Sequence, residues 1–366
     1  MIPFKYGKVV LGNDFCGREV LVEQIREFII SGQNVLVNGD RRMGKTSLVL
    51  ESARRAKYRV LYADFMLVRS TEDIISRILR GIFGLDKSKS WYHRAFEMLV
   101  HMRPTVSPDP ITGLPTMSFD FTPRQAAPES LSEILKLVQK ISEDRTVVVF
   151  DEFQGILNLD KYDDVFSAMR GEIQHHGNIP YIFSGSNRQH IDKIFTDEDS
   201  PFFKSAIPIT IGPIPFEEFY AFLSRRFAQG KRKITTDIMQ KIFEIAQDIP
   251  GDIQQFCLSI WEVTDEGAVI DEDTLKEALT LIFARENESY VSKYLALTKN
   301  QVKCIRALAK LGGKQVYSKE FVLEAGITQS SIQSAVKVLI DMNILFESGN
   351  DLKFLNPFFR AWVVQQ

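Results

Sequence analysis

Apolar positions fall into short runs over the first two hundred residues and into helical spacing after them. Residues 34–38 (NVLVN), 58–64 (YRVLYAD), 146–150 (TVVVF), 179–183 (IPYIF) and 207–211 (IPITI) are short, largely apolar runs. They read as strands covered on both faces of a parallel sheet. Residues 46–57 and 71–83, between the first three runs, read as helices. Strands alternating with helices predict a right-handed, doubly wound α/β domain. From residue 213 the pattern turns helical: 216–229, 236–247, 252–265 and 271–286 each place apolar residues on one face. Four such helices predict a small second domain.

A third unit follows. Residues 298–311 form an amphipathic helix with Val302, Ile305, Leu308 and Leu311 inward. Ser318 caps a second helix over 319–325, closed by Gly326. Thr328 caps a third over 329–342, with Ile332, Val336, Leu339 and Ile340 inward. Residues 344–348 and 351–355 then read as a hairpin turning at Gly349-Asn350. Three helices followed by a hairpin predict a winged helix, with the third helix in the recognition position. Its outward residues are Gln329, Ser330, Gln333, Ser334 and Lys337, short polar groups suited to a DNA groove, so duplex DNA is a candidate partner. A winged helix that docks another protein fits the same residues. The expected division is 1–212 for the α/β core, 213–290 for a helical lid and 291–366 for the winged helix. Residues 84–128 read as an insertion on the core, rich in proline, with 104–121 forming a hairpin about Thr112-Gly113.

Composition narrows the class. The chain has 366 residues, 45% hydrophobic and 25% charged, which excludes a disordered chain or a coiled coil. No apolar run reaches the ~18 residues of a membrane span. The first residues lack a long apolar segment, so no signal peptide is expected. Cys16, Cys257 and Cys304 are few, scattered and without a CxxC, which argues against a disulfide framework or a zinc site and for a reducing, cytoplasmic setting. Net charge is −2, yet residues 292–366 carry ten Lys/Arg against five Asp/Glu. That local excess suits a polyanion and equally a solvated surface.

The chemistry lies at two strand ends. Gly39-Asp40-Arg41-Arg42-Met43-Gly44-Lys45-Thr46 fits GxxxxGK[ST], after a strand and before a helix. Glycines let the backbone curl, so that successive N–H groups and the helix N-terminus form an anion cradle. Lys45 reaches the β- and γ-phosphates in this reading, the Thr46 hydroxyl binds Mg²⁺, and Ser47 joins the binding set. Asp151-Glu152 ends the 146–150 run, the position of a Walker B pair. Asp151 would hold Mg²⁺, and Glu152 would take the proton of the attacking water. A glutamate in that place goes with an extra strand between the phosphate-loop and Walker B strands, giving the order 5-1-4-3-2. The extra strand is 179–183, and Ser186 or Asn187 at its end would sense the γ-phosphate; an ordinary polar turn is the alternative.

Together these residues resemble the AAA+/STAND superclass of P-loop ATPases, and more closely a family of predicted ATPases abundant in archaea. Phe15-Cys16-Gly17-Arg18-Glu19 is similar to that family's F-x-G-R-E box, which lies near the adenine in relatives; the resemblance thus implies nucleotide contacts for Gly17 and Arg18. Phe183-Ser184-Gly185-Ser186 is similar to its strand-four signature, and Ser200-Pro201-Phe202-Phe203-Lys204 more loosely to its S-P-[LF]-[YF]-x-R stretch. The segment Lys353 to Trp362 resembles its D-P-x-x-R-x-W ending, with Asn356 in place of aspartate. Two departures stand out. Lys204 occupies the place of an arginine that would act on a neighbouring subunit, and it lacks the planar fork. Gln254 occupies the place of a lid arginine in origin-recognition ATPases. The resemblance implies a slow ATP-dependent switch acting on DNA; a protein-interaction switch in signalling or defence, or a remodelling motor, are the other readings. A homo-oligomer or a separate protein partner is compatible with all three.

Overall fold

The computed structural model describes residues 2–85, 104–108, 115–119, 128–142, 145–349 and 351–366. They fall into two compact units, Val9–Gly212 and Pro213–Gln366 with Met1–Lys8.

The first unit is built on β1 (Val35–Asn38), β2 (Arg59–Asp64), β5 (Thr146–Asp151), β6 (Tyr181–Gly185) and β7 (Ile207–Thr210), paired in the order β2-β5-β6-β1-β7. Every pairing in this sheet is parallel. Counted along the chain, these five strands stand in the order 5-1-4-3-2, as the acidic pair predicts. Register aligns the strand ends that matter: Asp64 lies opposite Asp151, Phe150 opposite Phe183, and Asn38 between Gly185 and Thr210. Helices α1 (Glu19–Ile30), α2 (Lys45–Ala56) and α3 (Thr71–Gly84) flank the sheet.

β6 starts two residues later than the sequence suggests and runs on to Gly185. The cause is Pro180, which has no N–H to give a ladder and offers only its carbonyl, to Val148 N at 3.0 Å. Pro208 is tolerated in β7 because that strand is the sheet edge. A hairpin, β3 (Pro104–Pro108) with β4 (Pro115–Phe119), lies between β2 and β5. The turn expected at Thr112-Gly113 lies outside the described residues.

A knot of aromatic rings supports the carboxyl ends of β5 and β6. Phe153 packs on Phe183 at 4.7 Å between ring centroids and on Phe202 at 5.2 Å, and Phe65 on Phe150 at 5.1 Å. Gly155 allows this approach, since a Cβ there would lie 2.0 Å from the Phe65 carbonyl oxygen.

In the other unit, Phe4 packs on Phe227 at 4.6 Å and Trp261 at 5.9 Å, tying the first residues to the helical part. The helix expected to end at 286 continues as Glu272–Leu295. Residues 287–295 contain no Gly or Pro, and Tyr290 is buried against Phe359 and Trp362, so packing carries the helix on. Helices Lys319–Ala325 and Gln329–Asp341 are capped by Ser318 and Thr328 as expected, and Lys299–Leu311 is capped by Thr298, which the pattern places inside the helix. β8 (Leu345–Ser348) and β9 (Asp351–Phe354) form the hairpin; Asn350 lies outside the described residues. A last helix, Pro357–Val364, was not legible in the pattern. Asn356 caps it, accepting from Phe358 N at 2.9 Å and Phe359 N at 3.1 Å. Asparagine thus performs the capping an aspartate would. Among the described residues no helix is long and apolar enough to cross a membrane.

One buried carboxylate anchors the segment leading into α1. Glu51, on α2, accepts from Gly12 N at 3.0 Å and from the guanidinium groups of Arg54 and Arg55. Arg54 first, then the Gly12 N–H and Arg55, hold its pKa down from 4.5 to about 2 against the effect of burial. The folded state therefore binds this proton less readily than the unfolded chain. Its stabilising contribution is complete above about 4.5 and lost as pH falls towards 2. Thermal unfolding followed between those limits should show a falling midpoint, and Glu51→Gln should flatten that slope while lowering the midpoint at neutral pH.

Candidate functional site

The phosphate loop leaves β1 at Asn38 and enters α2 at Lys45. Its curl is set by backbone that favours glycine: Gly44 has φ 86° and caps α2, and Arg42 has φ 63°. Gly39 is required for space, since a Cβ there would lie 2.5 Å from the Ile211 carbonyl oxygen. Met43 is buried, whereas Arg41 is exposed. Lys45 is only 6% exposed, and its ammonium donates to the carbonyls of Gly39 at 2.8 Å and Asp40 at 3.0 Å. Burial lowers its pKa, opposed by the negative charges of Glu152, Asp151 and Asp40.

Asp151 sits at the end of β5 and is 5% exposed. Its Oδ2 accepts from Thr46 Oγ1 at 2.6 Å and from the Tyr62 hydroxyl at 2.8 Å. Its Oδ1 accepts from Glu152 N at 3.0 Å and from the Ser184 hydroxyl. Burial and the neighbouring Asp151 push the Tyr62 phenol up, so it remains a donor. The Thr46 and Asp151 oxygens are hard, adjacent donors at the mouth of an anion cradle, and this set suits Mg²⁺ beside a polyphosphate.

Glu152 is the turn residue, in left-handed backbone at φ 49°. Its carboxylate accepts from Ser186 Oγ at 2.7 Å and from the Gln154 side-chain amide. Ser186 is therefore joined to the acidic pair. Asn187 is not: its side chain caps helix Arg188–Phe195, accepting from His190 N at 3.1 Å. The Ser47 hydroxyl is likewise engaged, accepting from Val10 N at 3.1 Å.

Arg18 follows Gly17 in left-handed backbone at the head of α1. Its guanidinium donates to Gly212 O at 2.7 Å and lies against Gly44, whose added Cβ would be 3.3 Å from Nη1. The box around it is thus packed on the phosphate loop. Lys204 is exposed, with its ammonium 4.7 Å from the Phe203 ring centroid. Gln254 lies in helix Pro250–Glu262, in the other unit.

Three partners of the acidic pair carry no role in the sequence pattern: Tyr62, Ser184 and Gln154. Ser184 and Gln154 each stand two residues from a group already singled out. Tyr62 lies opposite Val149, and so on the strand face that Asp151 shares two residues on.

On helix Gln329–Asp341, all five outward residues, Gln329, Ser330, Gln333, Ser334 and Lys337, are exposed, while Ile332, Val336 and Leu339 are buried. Ser330 and Ser334 border a cleft of about 330 Å³ with Thr298 and Asn300. Several cations of this region are held internally. Lys310 pairs with Glu324, Lys303 donates to Gly326 O, and the Arg306 and Arg360 guanidiniums donate to the carbonyls of Gln366 and Ala309. Lys337 has no hydrogen bond or ion pair among the described residues.

No curated protein matches the chain. Residues 288–365 match a family model described as a probable winged helix domain. Among solved structures, the Walker-type ATPase PABY2304 of Pyrococcus abyssi is similar over 99% of each chain, at 18% identity and a TM-score of 0.66. The Aeropyrum pernix ORC1 protein, solved in complex with DNA, is similar over 97% of this chain and 94% of its own, at 11% identity and a TM-score of 0.54. With the strand order and the helix–hairpin arrangement above, these likenesses establish the fold: a P-loop-type parallel α/β sheet in the order 5-1-4-3-2, followed by helices and a C-terminal winged helix.

Proposed function

We propose that the protein is an ATP-dependent switch that hydrolyses ATP slowly and couples its nucleotide state to DNA through the winged helix. In this reading 1–212 is the ATPase core, 213–290 the lid and 291–366 the DNA-contacting part. The observation that carries the nucleotide half is the meeting of Lys45, Thr46 and Asp151 at the phosphate loop.

The loop N–H groups from Asp40 to Thr46 bind the β- and γ-phosphates, and Lys45 leaves its loop carbonyls to pair with their oxygens. Thr46 and Asp151 would hold Mg²⁺, which would supply charge neutralisation at the phosphate oxygens. Glu152 accepts a proton from water as the water oxygen bonds to the γ-phosphorus and the bond to the bridging oxygen breaks. Ser186 keeps the Glu152 carboxylate at the site, and Arg18 with Gly17 borders the nucleotide. The lid position held by Gln254 offers an amide where an arginine would place a charge, which fits slow turnover. Asn187 serves as a helix cap.

The DNA half rests on the exposed polar face of helix Gln329–Asp341, on the local excess of basic residues, and on likeness in fold to a protein solved with DNA. A protein-docking winged helix is the second reading, favoured by the internal engagement of Lys303, Arg306, Lys310 and Arg360.

Glu152→Gln should retain ATP binding and lose turnover by roughly 10²–10⁴-fold, the usual worth of a general base. Turnover within a few-fold of wild type would remove Glu152 from that role. The full chain should bind duplex DNA with an affinity that falls steeply as salt rises, and at roughly 10⁻⁴–10⁻⁶ M if contact is non-specific. Lys337→Glu should weaken it without unfolding the domain, because Ile332, Val336 and Leu339 carry the packing. A gel-shift titration at two salt concentrations checks this; absence of a shift at the lower one would favour protein docking.

A further inference from the structure

We infer that Gln154 is a positioning residue for Glu152: with Ser186 it fixes one carboxylate oxygen and leaves the other to receive the proton of the attacking water. The inference rests on the reading of Glu152 as the general base.

A glutamate at a half-buried strand-end turn has three side-chain torsions and no intrinsic reason to hold one pose. Here Glu152 is held. Its Oε2 takes both donors, Ser186 Oγ at 2.7 Å and Gln154 Nε2 at 2.5 Å. An ionised carboxylate only accepts, so the nitrogen of the Gln154 amide must be the atom that faces it.

The Gln154 amide is not explained by stability. Its Oε1 is buried without a hydrogen-bond partner among the described residues. A buried acceptor left unpaired is unfavourable, and an apolar side chain of the same length would avoid it. The amide also needs space that the fold provides: a Cβ on Gly185 would lie 2.5 Å from Gln154 Oε1 and 2.4 Å from Ile191 Cδ1. The end of β6 thus divides its work. Ser184 donates to Asp151, Gly185 leaves room for Gln154, and Ser186 donates to Glu152. All three positions serve the two acids, which gives a physical reason for a small-residue strand end at this place.

The test uses the full chain with Gln154→Leu, Gln154→Met, Ser186→Ala and Glu152→Gln. Turnover, calorimetric affinity for ATP·Mg²⁺ and crystals of the ligand-free variants are the readouts. Gln154→Leu and Gln154→Met should each lower kcat by up to roughly 10²-fold, the cost of misplacing a reacting group by about 1 Å. ATP affinity should stay at the wild-type value, and Glu152 should occupy more than one rotamer in the ligand-free crystals. Adding Ser186→Ala should deepen the loss. If Glu152→Gln is inactive while both Gln154 variants turn over like wild type, Glu152 remains the base and the positioning role is overturned. If both Gln154 variants lose ATP affinity in step with turnover, Gln154 supports the binding site at large and the inference again fails. If Glu152→Gln turns over like wild type, the base assignment falls and this inference with it.

Discussion

A single buried carboxylate organises the active end of the sheet. Asp151 collects hydroxyl donors from β2, from the start of α2 and from β6, together with the N–H of its own successor. A carboxylate in a nearly closed site is tolerated only when its oxygens are occupied by donors or a cation. Tyr62, Thr46, Ser184 and the Glu152 amide meet that requirement, and in doing so they fix four chain segments to one point. The phosphate loop lies between β1 and α2, so fixing Thr46 also sets the direction in which the loop N–H groups face.

The acid beside it is under a different constraint. Glu152 occupies a left-handed turn residue that gives it reach, and its carboxylate is held from one side only. Asp151 is thus built into the sheet, whereas Glu152 is steered by two side chains that can be removed without touching the backbone ladder. The aromatic knot around Phe153 supplies the stiffness behind both. It packs the residue directly after Glu152 against β6, so the turn cannot drift from Ser186.

Much of this was legible in the sequence because the signals are contiguous. Gly39 to Thr46 and Asp151-Glu152 are short strings with a strand before them, and the strand order followed from the second acid. What was not legible depends on register. Tyr62 meets Asp151 only because β2 and β5 pair with Asp64 opposite Asp151, and no local pattern encodes that offset. Ser184 was inside a recognised string but without a role, because a serine at a strand end reads as a turn until its partner is known. Asn187 illustrates the converse: a polar residue next to Ser186 looks equivalent on paper, yet the start of a helix claims its side chain as a cap. Helix Glu272–Leu295 outran its apolar spacing because its last turns are held by Tyr290 against rings far along the chain, a contact that periodicity does not record.

In the proposed function, Lys45, Thr46 and Asp151 form a site for a metal-bound nucleoside triphosphate. Calorimetric titration of ATP into the purified chain, with and without Mg²⁺ and repeated with Lys45→Ala, tests it most directly. Tight binding is expected, dependent on Mg²⁺ and abolished by Lys45→Ala in a protein that remains folded. Binding indifferent to both the metal and the lysine, or no binding at all, would contradict it.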